Sequence, residues 1–528
     1  MKSMKFFVLL IVFAFLFAPV GVAQEKAITE QLGKITFPTS CDPKVQEQFE
    51  RGVAMLHSYW FTEGGKVFDA VAKQDPNCVM AYWGYAVNLL GNTLSTPPSL
   101  KNLQAAWQAL ERARAIGAKT QRERDWIEAL SAYYRDYDKV SVDDRLLAYT
   151  KAMEQMTHRY PDDFEAWAYY ALTLQASAPK TDKSYANQLK AAGILEKLYK
   201  QNPQHPGVSH YLIHAYDYPP LADKGLAAAR RYARIAPAAP HARHMPSHIY
   251  SMLGLWEESI ASNTSALEVQ RDYYHAIDFT VYAHLQLAQD AKAKALIGGN
   301  SAVRRKDLLT LGNYTALAAI PARYALERAD WTGAAALPLD STDRPEFDFI
   351  THSLTRFARG LGMARSGDLA GAKREIEAIQ GLRRALEKSD QSYWADRSEE
   401  QIYAVSAWVA HAEGARDQAV KLMRAAADGE DRSVKHVSME NRLYPMRELF
   451  AELLLETGEA VPALREFEAA LKENPNRYRG LYGAARAAEG AGNQEKATAF
   501  FAKLVTLSKN ADTDRPELAR ATAFLAKK

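Results

Sequence analysis

The sequence predicts an all-α protein, a right-handed superhelical solenoid built from pairs of helices. Apolar residues recur at helical spacing along nearly the whole chain, strand-like alternation is almost absent, and short Gly, Asp and Pro turns separate the segments. In the stretch 462–505, Ala463 and Ala497 are 34 residues apart, and so are Phe467 and Phe501. Small residues where two helices cross, with a bulky residue filling the gap at this period, are typical of tetratricopeptide repeats.

The first 23 residues predict a cleaved signal peptide. Lys2 and Lys5 precede an uncharged apolar run at 6–17, and the small residues at 21–23 suit cleavage before Gln24. The run is short for a membrane span, and no second long apolar run follows it. We therefore expect a periplasmic or secreted protein whose mature chain does not span a membrane.

The predicted solenoid is divided into three segments: N-terminal repeats at 24–205, central histidine-rich repeats at 206–307 and C-terminal repeats at 308–528. Copies of the repeat are recognisable at 49–77, 160–174, 253–268, 364–378 and 412–426. The stretches 92–145 and 290–345 fit the period less well, so irregular units or longer loops are expected there. Because neighbouring units bury each other's apolar faces, we expect one continuous solenoid.

Composition excludes some classes of function and indicates one crosslink. The net charge of +3 falls to +1 without Lys2 and Lys5, which leaves no basic surface typical of nucleic-acid binding. The chain has two cysteines, Cys41 and Cys78, and in an oxidising compartment such a pair predicts a disulfide. A phosphate-binding glycine loop, a dinucleotide fingerprint, a nucleophile elbow and a His-Glu-x-x-His motif are all absent. The last absence counts against simple zinc peptidase chemistry.

Histidines are concentrated in one part of the chain and follow the repeat. Seven of the 13 histidines fall between residues 205 and 275. Three pairs are separated by one 34-residue period: His210 and His244, His214 and His248, His241 and His275. Their slots are those that tetratricopeptide arrays usually turn toward the concave groove, and neighbouring first helices lie about 8–10 Å apart. We therefore expect imidazoles from two successive helices to converge.

The sequence predicts a metal site, since neutral imidazole is the commonest protein ligand for zinc and copper. The i,i+4 pairs provide the primary ligands, which are His210, His214, His244 and His248. Further ligands, or groups that orient a ring, are predicted to be His241, His275, Asp217 and Asp278. Pro246 lies between His244 and His248 and is compatible with this site if the helix effectively begins near His244.

Three hypotheses for function follow. Copper is preferred over zinc because many imidazoles with no thiolate suit it, which predicts a copper-dependent oxidoreductase acting on a small organic substrate, with dioxygen or peroxide as oxidant. A zinc site that activates water for hydrolysis is the metal-based alternative. The third hypothesis is a non-catalytic scaffold that holds a peptide or partner protein in the groove. His57 is interpreted as a packed helix-end residue, and His205 ranks below the four primary ligands.

The stretches "HPGVSHYLIHAYD" (205–217) and "PHARHMPSHIYSMLGLWEESIASN" (240–263) carry a resemblance. Together with "FPTSC", "DPNCVMAYWGYA", "NRYRGLYGAARAAE" and "RPELARA", they resemble a family of exported bacterial tetratricopeptide-repeat proteins, over nearly all of the mature chain. The histidine-rich block is the family's most specific signature, and all four primary ligands match it. The resemblance implies the repeat fold and export more than it implies an activity.

Overall fold

Every regular element that the structure describes is a helix. The structure is a computed structural model, and it describes residues 31–299, 310–341, 344–389, 391–437, 439 and 442–527. The predicted signal peptide lies outside the described residues. Within these ranges, no helix is both long enough and apolar enough to cross a membrane.

The helices follow one another with short connections. Those before the histidine-rich block are α1 (Pro43–His57), α2 (Phe61–Gln74), α3 (Val79–Leu90), α4 (Leu100–Ile116), α5 (Gln121–Tyr134), α6 (Val142–Arg159), α7 (Phe164–Ala176) and α8 (Ala186–Gln201). The block itself contains α9 (Pro206–Tyr216), α10 (Ala222–Ile235), α11 (Pro240–His244), α12 (Pro246–Met252), α13 (Trp256–Val269), α14 (Tyr274–Gln286) and α15 (Asp290–Gly299). The remaining helices are α16 (Leu311–Glu327), α17 (Trp331–Ala335), α18 (Pro345–Ser366), α19 (Leu369–Lys388), α20 (Ser392–Ala412), α21 (Arg416–Glu430), α22 (Met446–Glu456), α23 (Ala460–Glu473), α24 (Tyr478–Gly490), α25 (Gln494–Leu507) and α26 (Pro516–Ala526).

Small and bulky residues meet at the helix crossings as the repeat pattern predicts. The Phe68 ring of α2 is fully buried against Gly84 of α3, where an added Cβ would lie 2.2 Å from the ring. Phe467 and Gly483 make the same contact between α23 and α24. Each helix thus packs on the next along the chain, and the all-α solenoid of helix pairs is confirmed. The less regular stretch 92–145 is also mainly helical, through α4 and α5.

The solenoid closes on itself through contacts between residues more than 200 positions apart. The Asn476 side-chain amide donates to the Gly254 carbonyl at 3.1 Å, and the Trp256 indole N–H donates to the Asn476 carbonyl at 3.0 Å. A second contact joins the Lys180 carbonyl and the Val434 amide at 3.1 Å. The inner helices of the histidine-rich block are therefore enclosed by later repeats, whereas the repeat pattern predicts histidines that face a concave groove.

The apolar core is divided near the histidine-rich block. One cluster of buried residues extends from Leu32 to Tyr250 and includes Val434, and another extends from Tyr274 to Ala497. Cys41 and Cys78 are joined by a disulfide at the edge of the first cluster. The block therefore lies where the two large parts of the core meet.

Candidate metal centre

Six histidines from three successive inner helices form two groups of three. The group that we call the first triad consists of His210, His214 and His241, and the second triad consists of His244, His248 and His275. Within each triad the potential ligand nitrogens lie within 4.8 Å of one another. Each member of the second triad follows its counterpart in the first by 34 residues. One geometry is therefore built twice, one repeat apart.

This grouping differs from the one expected from the sequence. The two i,i+4 pairs were predicted to face each other as one set of four primary ligands. In the structure, each pair is completed by a histidine at the start of the next inner helix: His241 of α11 joins the α9 pair, and His275 of α14 joins His244 and His248. The reason is that the first turn of an inner helix lies beside the middle of the preceding inner helix.

Pro246 does not disrupt the second triad, because the helix restarts there. The α11 helix ends at His244, and Pro246 is the first residue of α12, where the missing N–H would have had no helical partner. Met245 between them keeps right-handed helical dihedrals. His244 and His248 therefore still share one side, with their Nε2 atoms 3.0 Å apart.

The second triad holds two unprotonated nitrogens against each other. His244 Nδ1 is 2.6 Å from Asn263 Oδ1, which must accept because the Asn263 amide nitrogen donates to the Ser259 carbonyl at 2.8 Å. His248 Nδ1 is 2.8 Å from the Asp217 carboxylate. Both Nδ1 atoms therefore carry the hydrogen, and in neutral rings both Nε2 atoms present lone pairs. With Asp217 ionised, no tautomer that keeps these two Nδ1 hydrogen bonds turns the 3.0 Å contact into a hydrogen bond.

The first triad contains a buried imidazole with no partner. Both ring nitrogens of His214 are buried and have no hydrogen-bond partner among the described residues. His210 is oriented by its Nδ1, which donates to the His57 carbonyl at 2.6 Å, and its Nε2 lies 3.0 Å from His241 Nε2. The His241 Nδ1 faces the Tyr273 hydroxyl at 2.9 Å. Buried polar atoms without partners are uncommon in proteins, and an ion or an ordered water is one explanation for such atoms.

Aromatic side chains keep both triads dry. Tyr59 lies over the first triad, with its ring centroid 4.4 Å from that of His210 and 5.2 Å from that of His241. Its backbone φ is 52°, at the turn position where many other repeats have glycine, such as Gly254 with a φ of 65°. Phe279 packs on the second triad, 4.8 Å from both His244 and His248. This enclosure limits access of water to the imidazoles.

Burial keeps the imidazoles uncharged. Desolvation lowers the pKa of His210 to about 3 and that of His244 to about 4, from the usual 6.5. The pKa values of His214, His241, His248 and His275 are also lowered, in each case mainly by burial. Neutral imidazole is the form that binds a metal ion, so these six side chains would need no deprotonation to bind one near neutral pH.

The two predicted carboxylates occupy different positions. Asp217 accepts from His248 Nδ1, an arrangement that orients a ligand histidine and raises its basicity. Its second oxygen, Oδ1, is buried and has no hydrogen-bond partner among the described residues, and Lys435 Nζ lies 3.7 Å from Oδ2. Asp278 faces the buried Arg323 guanidinium, with Nε 2.9 Å from its Oδ1. We therefore leave Asp278 out of the candidate ligand set, because its carboxylate is engaged by that arginine.

A third buried cluster looks similar but is fully hydrogen-bonded. Glu165 accepts from His57 Nε2 at 2.8 Å and from His205 Nε2 at 2.9 Å, one bond on each oxygen. The Tyr211 hydroxyl donates to His57 Nδ1 at 2.9 Å, and the Val208 amide donates to His205 Nδ1. Every ring nitrogen thus has a partner when both rings are neutral, and the carboxylate pKa is held low by the two histidines although burial opposes this. Each ring nitrogen and each carboxylate oxygen of this cluster therefore already has a hydrogen-bond partner.

The sequence does not predict this cluster. It predicts His57 as a packed residue and His205 as a weaker candidate than the four primary ligands, and it gives no signal at Glu165. No periodic signal connects the three residues, since they come from α1, α7 and the residue before α9. The cluster is nevertheless joined to the first triad, because the backbone carbonyl of His57 holds His210.

Comparisons with known proteins add little to these observations. No family model matches the chain, and no curated protein matches it. Among solved structures, the chain is similar to that titled "Structure of Naa15/Naa10 bound to HypK-THB", with a TM-score of 0.26 and 13% identity, covering 91% of this chain and 72% of that one. It is also similar to "Crystal structure of APC/C hetero-tetramer Cut9-Hcn1", with a TM-score of 0.31 and 11% identity, covering 92% and 90%. These TM-scores are too low to identify a shared fold. The helix pairs and the 34-residue period are what identify the chain as a tetratricopeptide-like solenoid.

Acid should destabilise the metal-free protein. The imidazole pKa values are lower in the folded state than the usual 6.5 of an unfolded chain, so below this value the unfolded state binds more protons. We expect the free energy of unfolding to be level above about pH 7 and to fall as the pH drops from 6.5 toward 4. Each additional proton on the unfolded chain contributes a slope of about 1.4 kcal/mol per pH unit. Urea denaturation with a chelator present measures this, and a level profile between pH 6.5 and 4 would contradict it.

Replacing Glu165 should affect stability and not metal content. Glu165→Gln removes the charge and sets an amide N–H against one imidazole N–H, leaving buried donors without acceptors. We expect a loss of about 1–3 kcal/mol in the free energy of unfolding. The number of metal ions bound should stay unchanged. Glu47→Gln, at an exposed position of α1, is the matched control; a drop in metal content in the Glu165 variant alone would assign this cluster to the metal centre.

Proposed function

We propose that this protein binds two metal ions, one in each triad, and that the ions are copper. The observation that carries the proposal is the 3.0 Å contact between the Nε2 atoms of His244 and His248, which carry no hydrogen when both rings are neutral and both Nδ1 atoms donate to their partners. Two nitrogens bound about 2.0–2.1 Å from one ion lie roughly 2.9–3.4 Å apart at the usual coordination angles. A cation between these atoms would replace a repulsion of lone pairs by two coordinate bonds.

The partnerless atoms support the same proposal. A cation at the first triad would give His214 the interaction that it lacks among the described residues. The opposite ring nitrogens of three other histidines are also held in place. The His57 carbonyl, Asn263 and Asp217 accept from Nδ1 of His210, His244 and His248 and direct each Nε2 inward. Such outer partners fix the tautomer and orientation of metal-binding histidines.

We further propose that the centre is a copper-dependent oxidoreductase acting on a small organic substrate. Three nitrogen ligands per ion leave a position open for an exogenous molecule. All-imidazole ligand sets without thiolates suit copper, and the two triads are adjacent, with the His214 and His248 ring centroids 5.9 Å apart. Two copper ions held at these triads would together pass two electrons from the organic substrate, which is oxidised, to dioxygen, which is reduced to hydrogen peroxide. A zinc centre that activates water is the metal-based alternative.

A second candidate function is that of a protein- or peptide-binding scaffold. Repeat solenoids commonly present extended surfaces to partners. A broad cleft supports this function here; it reaches Asp217 and is lined by both halves of the chain, including Tyr185, Tyr218, Met252, Arg447 and Lys472. Stable binding of a peptide without any bound metal would favour this candidate.

We propose that the protein acts outside the cytoplasm. The proposal is supported by the signal-peptide pattern at 1–23 and by the disulfide between Cys41 and Cys78, which suits an oxidising compartment. N-terminal sequencing of the protein from the periplasm or medium should begin at Gln24. Recovery of the uncleaved chain only in the cytoplasm would contradict export.

His214→Leu should separate metal binding from folding. The wild-type chain, reconstituted with Cu²⁺ and desalted, should retain two copper ions per chain by elemental analysis. The variant should retain about one fewer. Because the His214 nitrogens have no partner to lose, the metal-free variant should be at least as stable as the wild type, and more stable by up to about 1–3 kcal/mol.

His158→Leu, which removes an exposed histidine from α6, is the matched control and should leave the copper content unchanged. Oxygen uptake with a panel of phenols and amines should depend on copper and disappear in His214→Leu. A wild-type chain that retains less than one ion after copper or zinc reconstitution would contradict the metal centre. Two retained ions without turnover would contradict the oxidoreductase alone.

A further inference from the structure

The two triads differ in whether the binding of an ion breaks a hydrogen bond between their histidines. In the second triad, with Asp217 ionised, the Nδ1 hydrogens of His244 and His248 are donated to Asn263 and Asp217, so the contact between the two Nε2 atoms contains no hydrogen. His275 Nδ1 is also buried without a partner among the described residues. An ion entering this triad therefore breaks no hydrogen bond between its ligands.

The first triad can form a hydrogen bond in the absence of an ion. His210 donates through Nδ1 to a carbonyl, so its Nε2 is an acceptor. The Tyr273 hydroxyl, unlike a carbonyl or carboxylate, can donate to His241 Nδ1. His241 then carries its hydrogen on Nε2 and donates it to His210 Nε2 across 3.0 Å. An ion that binds both atoms must displace this hydrogen.

Tyr273 is the group that must respond to this displacement. When His241 binds an ion through Nε2, its hydrogen moves to Nδ1, and the Tyr273 hydroxyl must change from donor to acceptor. The Tyr273 ring also contacts His244, at 5.2 Å between centroids, so this side chain touches both triads. Loading the first triad therefore requires the His241 hydrogen and the Tyr273 hydroxyl to rearrange, whereas loading the second triad requires no such change.

The groups that accept a hydrogen bond from Nδ1 of His248 and His210 also favour tighter binding at the second triad. His248 is backed by a carboxylate, whereas His210 is backed by a neutral carbonyl. A carboxylate partner raises the basicity of a ligand histidine more than a carbonyl does. Lys435 lies 3.7 Å from the same carboxylate and offsets part of its charge, but the carboxylate hydrogen-bonds the ligand directly.

We propose that the two triads load in a fixed order: the second triad takes its ion first and at least tenfold more tightly than the first. This inference rests on the proposed two-ion centre. Repulsion between two ions separates the binding steps in any dinuclear centre, but it does not decide which triad is filled first. The order is set by the two Nε2 contacts. His210 and His241 share a hydrogen bond that an ion must break, whereas His244 and His248 repel each other until an ion binds.

The test is a calorimetric titration of the metal-free full-length protein with Zn²⁺, which avoids redox chemistry. His275→Ala and His241→Ala remove the same structural position from the two triads, one period apart, and serve as controls for each other. We expect two steps in the wild type, loss of the tighter step in His275→Ala and loss of the weaker step in His241→Ala. Asp217→Asn should weaken the tighter step about 10- to 100-fold and leave the weaker step in place.

Two steps of equal affinity, or loss of the weaker step in His275→Ala, would overturn the loading order while leaving the two-ion centre intact. Absence of zinc binding in the wild type, together with absence of copper binding, would overturn the centre itself. The two failures are therefore distinguishable.

Discussion

The candidate site depends on the side-by-side packing of successive inner helices. Because the repeat length is constant, residues 34 positions apart occupy equivalent places on neighbouring helices, and the first turn of one helix lies beside the middle of the preceding one. His241 is thereby brought to His210, and His275 to His244, at ring-centroid distances of 4.8 and 4.7 Å. A single helix cannot provide three convergent imidazoles, but two neighbouring ones can. The repeat therefore supplies both the fold and the duplication of the site.

The buried histidine clusters differ in whether their polar atoms have hydrogen-bond partners. The cluster around Glu165 has a donor for each acceptor, so it stabilises the fold without any added group. The triads have the same kinds of side chain, at similar depth, but leave ring nitrogens facing each other or facing nothing. In a dry interior an unpaired polar group is costly, since no water compensates for it. The proposed binding of cations at the triads, and not at the Glu165 cluster, would account for this difference.

The period allowed much of this arrangement to be predicted from the sequence. The helix pairs, the involvement of six histidines and the place of Asp217 beside them follow from residue spacing. The sequence makes the shared side of His244 and His248 conditional on a helix that begins near His244; in the structure a helix already begins at Pro240, and a new one begins at Pro246. The division into two triads could not be predicted, because it depends on how far one helix is displaced along its neighbour. The partners of Asp278, Glu165 and Asn263 come from distant or aperiodic positions. The enclosure of the site depends on contacts such as that of Gly254 with Asn476, which no local pattern records.

The central claim is that each triad holds one metal ion. Diffraction from crystals of the copper-loaded full-length protein, recorded on both sides of the copper absorption edge, locates such ions directly. Two anomalous peaks per chain are expected, one among the Nε2 atoms of His244 and His248 with His275 nearby, and one between His210, His214 and His241. Absence of anomalous density from both triads, or a copper peak at the cluster of His57, Glu165 and His205 instead, would contradict it.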